Sequence, residues 1–422
     1  MKSVACFSLL LLSLLPTEKA KGLDIIFRYD LDTSGFFEQA GAKEALEAAG
    51  SFYEKLIVDE LEAIDPFNFT PGTQRNWYPR YLEPGDTNPY GRRIASAENL
   101  VVPANSIVIF VGARALDTTA QGGPGGMEPL QPGSYPWFNQ LFNRGEEGAV
   151  TYSGTSYSPN PTDFAPWGGT VFFNKDLSWN FSTNDATLPG IDFIPVALHE
   201  IGHVLGIGHL DPTFSSWQPL VSQNKFQGPL AKMSNGNVAP SISNGYHWSS
   251  SNPDSPTLPV FGRQHGESQK ALMQALVGST NADHFTVPTD LELAALRDIG
   301  WELTPALDNF SINVNFDSSQ PAVKIPTSTG VTYQVLRSDS PASLSPSGPT
   351  LTGDGTVQTW TDPNEPSAAA FYQVEVDAPP AAAKSLREKK AKNQAPTGIL
   401  EPTELPLVAP SVCECLLHNP EH

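Results

Sequence analysis

His199-Glu200-Ile201-Gly202-His203-Val204-Leu205-Gly206-Ile207-Gly208-His209 is the stretch on which the reading of this chain turns. His199 and His203 are four apart, so on a helix they lie one turn above each other on one face. Two imidazoles in that arrangement can reach one Zn²⁺ at about 2.0–2.1 Å. Glu200 stands beside them, placed to act on water and not to ligate. Gly206 can take φ > 0, end the helix and swing the chain back. That return would bring His209 up as a third ligand. A fourth position would stay open for water, the arrangement of a catalytic zinc site and not of a structural one. Chance surface histidines could account for a pair beside a glutamate. They account poorly for three histidines, the glutamate and the glycine together.

The pattern His-Glu-x-x-His-x-x-Gly-x-x-His resembles the signature of the metzincin zinc endopeptidases, and every defining position is filled. The resemblance implies a zincin-like α+β catalytic domain, with a mixed twisted sheet and an active-site helix. It implies Zn²⁺ held by His199, His203 and His209, and Glu200 as general base toward water activated by the metal. A methionine on a tight turn beneath the metal is a further trait of the family, where it packs and does not ligate. Ala271-Leu272-Met273 resembles that turn, with Met233 as competitor. The helical pattern of 289–299 that follows favours Met273 and resembles the closing helix of matrixin- and serralysin-like domains. Position 275 is Ala, where serralysins and astacins carry tyrosine, so the match is closer to matrixins, and the chain resembles a bacterial matrixin-like or serralysin-related secreted protease.

The flanks fit such a domain. Leu23–Tyr29 is strand-like, and a helix is expected over about 38–63 from apolar residues at helical spacing. Residues 70–105 read as loop. Ser106–Ala113, Ala149–Tyr152 and Thr170–Asn174 read as strands. Gly122-Gly123-Pro124-Gly125-Gly126 reads as a flexible linker rather than a metal-binding or substrate-side loop. By resemblance, 168–174 is placed at the cleft edge, where a strand can pair with an extended substrate. The motif helix should start near Asp192 or Phe193. Thr289 or Asp290 should cap the helix that follows, and Gly300 should end it. Residues 210–260 are rich in Ser, Asn and Pro. They contain His247 and Trp248 but little periodicity, and read as a long insertion on the lower side of the cleft. Asp211 reads as a solvated loop residue.

At 422 residues the chain exceeds one ordinary domain. Lys2 followed by the apolar run Val4–Leu15 reads as a secretory signal, too short to span a bilayer. The division expected is signal 1–22, peptidase domain 23–303, β-module 304–378 and disordered tail 379–422. Alternating segments at 311–316, 332–337, 357–360 and 370–376 suggest that the module is a small all-β sandwich. It would serve as a spacer or contact a polymer or cell surface. The formal charge is −20, with 25 Lys+Arg against 45 Asp+Glu, which argues against nucleic acid or an anionic membrane as partner. Cys6 would leave with the signal, and Cys413 and Cys415 lie in the tail, so the body has no disulfide framework. Cys413-Glu414-Cys415 with His418 and His422 is a weak metal motif. Structural Ca²⁺ is a further expectation by resemblance, with no ligand pattern to place it. The reading is a secreted, extracellular, monomeric zinc endopeptidase acting on protein or peptide substrates. The rival is a non-catalytic exported zinc-binding adhesin.

Overall fold

The computed structural model describes residues 22–69, 75–86, 93–129, 134–258, 260–261, 263, 267–275, 285–303, 313–315, 322–327, 332–338, 345–354, 356–363, 371–377 and 413–415. Residues 1–21 of the expected signal, most of the expected tail, and His418 and His422 lie outside them.

The first elements are strand β1 (Asp24–Arg28), helix α1 (Ala42–Leu56), strands β2 (Trp77–Leu82), β3 (Ile94–Ser96), β4 (Ser106–Arg114), β5 (Ala120–Pro124) and β6 (Gly126–Pro129), helix α2 (Tyr135–Asn143), strand β7 (Gly168–Asn174) and helix α3 (Phe193–Val204). The main sheet runs β1–β4–β7–β5, the first three strands parallel and β5 antiparallel to β7. β4 and β7 are buried along their whole length, which fits the apolar runs Ile107–Ala113 and Val171–Phe173 at their centres. α1 buries Ala45, Leu46, Ala49 and Tyr53 beneath the sheet, and the Tyr53 hydroxyl donates to the carbonyl of Leu198 on α3 at 2.9 Å. All twelve residues of α3 are buried, so it is a central helix and not a surface one. Trp301 pins its end by donating from Nε1 to the carbonyl of Leu205 at 2.7 Å.

Several sequence expectations change. α1 is shorter than 38–63. The stretch 70–105 is not all loop: β2 pairs with β3 and with β6 in a small second sheet. Ala149–Tyr152 forms no strand, only an isolated bridge from Tyr152 to Tyr157. The glycine-rich segment taken for a linker supplies β5 and β6. Its glycines allow close approach and not flexibility. A Cβ on Gly122 would sit 2.6 Å from the Glu200 carbonyl oxygen, and one on Gly125 would sit 2.0 Å from the Trp167 ring. β7, expected at the cleft edge, is interior, and β5 lies outside it next to α3.

Beyond α3 the chain makes short two-residue hairpins, among them Ile242–Ser243 with His247–Trp248. Helix α4 (Pro229–Ser234) and helix α5 (Asp290–Asp298) pack together below. Asp298 of α5 accepts from the backbone N–H groups of Leu230 and Ala231 at 3.0 and 2.8 Å, holding the start of α4. Further on, Ala322–Pro326 pairs with Asn313–Asn315 and Val357–Thr361. Thr332–Ser338 pairs with Phe371–Asp377 and two shorter strands. Val323, Ile325, Tyr333, Val335 and Trp360 form a small core there. The strand Ala322–Pro326 was not evident from the sequence. Residues Cys413–Cys415, expected in a disordered tail, form a strand antiparallel to β5.

Candidate metal centre

α3 carries His199 and His203 on one face, as their spacing requires, and both are buried. Each ring is oriented from behind. His199 Nδ1 lies 2.9 Å from the carbonyl oxygen of Leu272, and His203 Nδ1 lies 2.7 Å from that of Ile207. A carbonyl only accepts, so both rings carry their proton on Nδ1 and turn a bare Nε2 lone pair inward. The two Nε2 atoms are 3.0 Å apart. Two lone pairs at that distance repel unless a cation or a donor lies between them.

The third imidazole brought to this point is that of His247, with its Nε2 3.2 Å from the Nε2 of both His199 and His203. Ligand atoms about 2.0–2.1 Å from a tetrahedral zinc stand about 3.3 Å apart, so the three separations are close to one face of such a tetrahedron. Among the described residues this is the one converging set of three His, Cys, Asp or Glu side chains. The residues therefore fit Zn²⁺. The set is all imidazole, and calcium, which needs oxygen ligands, finds no support in it.

His209, expected as the third ligand, is not in this set. Gly206 and Gly208 both take positive φ, 99° and 80°, and turn the chain after α3. The turn lays the His209 ring 5.3 Å from that of Phe164, against a small cavity also lined by Trp167 and Asp163. The His209 carbonyl accepts from Ser215 Oγ, and its buried Nδ1 has no hydrogen-bond partner. Asp211 caps the following turn, accepting from the N–H groups of Thr213 and Phe214 at 2.8 and 3.0 Å. Gly208 itself explains how His247 arrives. A Cβ there would lie 2.6 Å from the Tyr246 carbonyl oxygen, so only glycine lets the 246–247 segment close on the end of α3. Trp248 holds that segment from the other side, packed against Trp217 and Phe226. Nothing in the spacing of His247 marked it as a site residue. The only sign was a histidine next to a tryptophan in an otherwise polar stretch.

Met273 packs against α3 at Gly202. A Cβ on Gly202 would be 2.8 Å from its Sδ. Its carbonyl accepts from Trp248 N–H at 2.8 Å, and its N–H donates to Glu292 Oε1 at 3.1 Å. The competitor, Met233, is on α4. Glu292 also accepts from Trp248 Nε1 at 3.1 Å and, on its other oxygen, from the N–H and hydroxyl of Thr289 at 2.8 and 2.7 Å. The capping box of α5 is thus wired to the turn that bears Leu272 and Met273. Glu200 is fully buried, with Gly122 of β5 packed against its side chain.

Burial makes the charged form of every imidazole here costly. It lowers His199 and His209 to about 4 and His247 to about 2, and holds His203 well below the ordinary value. Neutral rings are the form a metal binds.

A family model described as Matrixin matches residues 142–232. Matrix metalloproteinase-25 of Mus musculus is 37% identical over 65 residues, covering 15% of this chain and 9% of the relative. Matrix metalloproteinase-2 of Drosophila melanogaster is 36% identical over 63 residues, 15% of this chain and 8% of the relative. Matrix metalloproteinase-17 of Homo sapiens is 36% identical over 62 residues, 15% and 9%. The chain spans about a tenth of the length of these curated relatives. No solved structure matches significantly. The segment matched by the family model holds His199, Glu200, His203 and His209 and ends before His247. These likenesses are partial, each covering under a quarter of the chain.

Proposed function

We propose that this chain is a secreted zinc endopeptidase that hydrolyses peptide bonds in protein substrates, with Glu200 as general base. The observation that carries the reading is the convergence of three imidazole Nε2 atoms, those of His199, His203 and His247, within 3.0–3.2 Å of one another beside the helix that also bears Glu200. Bound there, zinc would supply Lewis acidity toward a scissile carbonyl and toward water. His199, His203 and His247 would hold it. Their Nδ1–H bonds to fixed carbonyls, at Leu272 and Ile207, would keep the first two rings aimed. Glu200 would take the proton of the attacking water and return it to the leaving amine. β5, adjacent to α3, would offer its backbone edge to an extended substrate.

His209 is the second candidate for third ligand. The motif spacing favours it, and so does its buried Nδ1, which has no partner. Zinc titration of His209→Ala and His247→Ala separates the two. Under the assignment to His247, its loss weakens zinc binding by more than tenfold, whereas His209→Ala retains near wild-type affinity. The reverse order assigns the ligand to His209.

Residues 1–22 are proposed as an export signal, 23–303 as the peptidase domain and 304–378 as a β-module acting as spacer. No helix among the described residues is long and apolar enough to cross a membrane. The rival reading, a zinc-binding adhesin without catalysis, needs no base beside the ligands. Hydrolysis of a protein substrate that stops with a chelator and returns with Zn²⁺ rejects it.

A further inference from the structure

The edge of β5 is already taken. Cys413–Cys415 pairs with it antiparallel, Cys413 opposite Gly122, Glu414 opposite Gln121 and Cys415 opposite Ala120, and the same segment comes up against α3. A Cβ on Gly122 would meet Glu200 at 2.6–2.9 Å, so the Cys413 end of the pairing lies beside the proposed base. β5 reads Ala-Gln-Gly-Gly-Pro, short and uncharged, with nothing bulky to keep an extended chain from its edge. Such an edge is a template for another strand.

We propose that residues 413–415 hold the substrate-binding edge of β5 and keep the protein latent, and that an extended substrate enters by displacing them. This rests on the peptidase reading. The block is led by the backbone: one strand excludes another from the same row of N–H and C=O groups. Because the blocking strand belongs to the same chain, its effective concentration is high although the pairing is only three residues long.

The test compares the zinc-loaded full chain with a variant lacking residues 411–422, using a quenched fluorescent peptide library. The expected result is a kcat/KM about tenfold higher in the shortened chain. A synthetic peptide spanning 409–419 should then inhibit the shortened chain competitively. Latency should persist in the full chain carrying Cys413→Ser and Cys415→Ser, since the backbone is unchanged. Hydrogen exchange in the Glu200→Gln background supplies a readout independent of activity, with amides of 119–124 exchanging faster once 411–422 are removed. Equal kcat/KM with unchanged exchange overturns the proposal. So does latency that disappears on dilution, which would place the strand in a second copy, or in the double serine variant, which would assign the block to the thiols. If neither form cleaves any peptide while exchange still opens, the peptidase reading fails, and latency with it, while the strand pairing stands.

Discussion

At the level of single residues, the site depends on what glycine permits and what burial does to imidazole. Gly202 leaves room for Met273 against the helix that carries His199 and His203. Gly202→Ala would press on Met273 Sδ, the end of a flexible side chain. It should cost about 1–3 kcal/mol in thermal or denaturant unfolding and lower zinc affinity at the same time. Gly208→Ala meets backbone instead and is also strained at its positive φ. It should displace His247 and act on zinc binding more than on overall stability. The histidines also fix a pH dependence. Their folded pKa values lie below the ordinary value near 6.5, so the stability they contribute is present above that value and is lost as pH falls through it toward about 4. The melting temperature of chelated protein should drop steadily over that interval, and zinc should leave holoprotein in the same interval. A flat profile there would contradict burial of neutral rings.

At the level of elements, α5 supports the metal-binding histidines without supplying one. Thr289→Ala removes one side of its capping box and should cost about 1 kcal/mol. Glu292→Ala removes the other side and also frees Met273 N–H and Trp248 Nε1. It should cost about 3 kcal/mol or more in denaturant unfolding and should loosen zinc retention, which Thr289→Ala should not. Gly122→Ala tests the β5–α3 contact: its Cβ would meet backbone of Glu200, so activity should fall while zinc stays bound. α3 and α5 were legible because each carries a helical period with marked ends, Asp192 and Gly206 for one, Thr289 and Gly300 for the other. β5 was not, because the glycines that let it pack against α3 look the same in sequence as glycines that make a linker.

At the scale of the whole molecule, the site joins segments far apart in the chain: His199 and His203 on α3, His247 on a two-residue strand, the 271–273 turn and the β5 edge. The motif made the first pair readable from spacing alone. His247 was hidden because it is delivered by packing, through Gly208 and the Trp217–Phe226–Trp248 cluster, which leaves no period in the sequence. The reading of β-strands beyond 304 followed alternation and missed Ala322–Pro326, whose proline ends a short run. We hold that α3 brings two zinc ligands, His199 and His203, and the base of a peptidase, Glu200, to one place. This is tested most directly by measuring zinc content and casein hydrolysis together for the wild type and for Glu200→Gln. The account predicts about one zinc per chain in both and a loss of about 10²–10⁴-fold in hydrolysis in the variant alone. Equal hydrolysis by the two zinc-loaded proteins would contradict it.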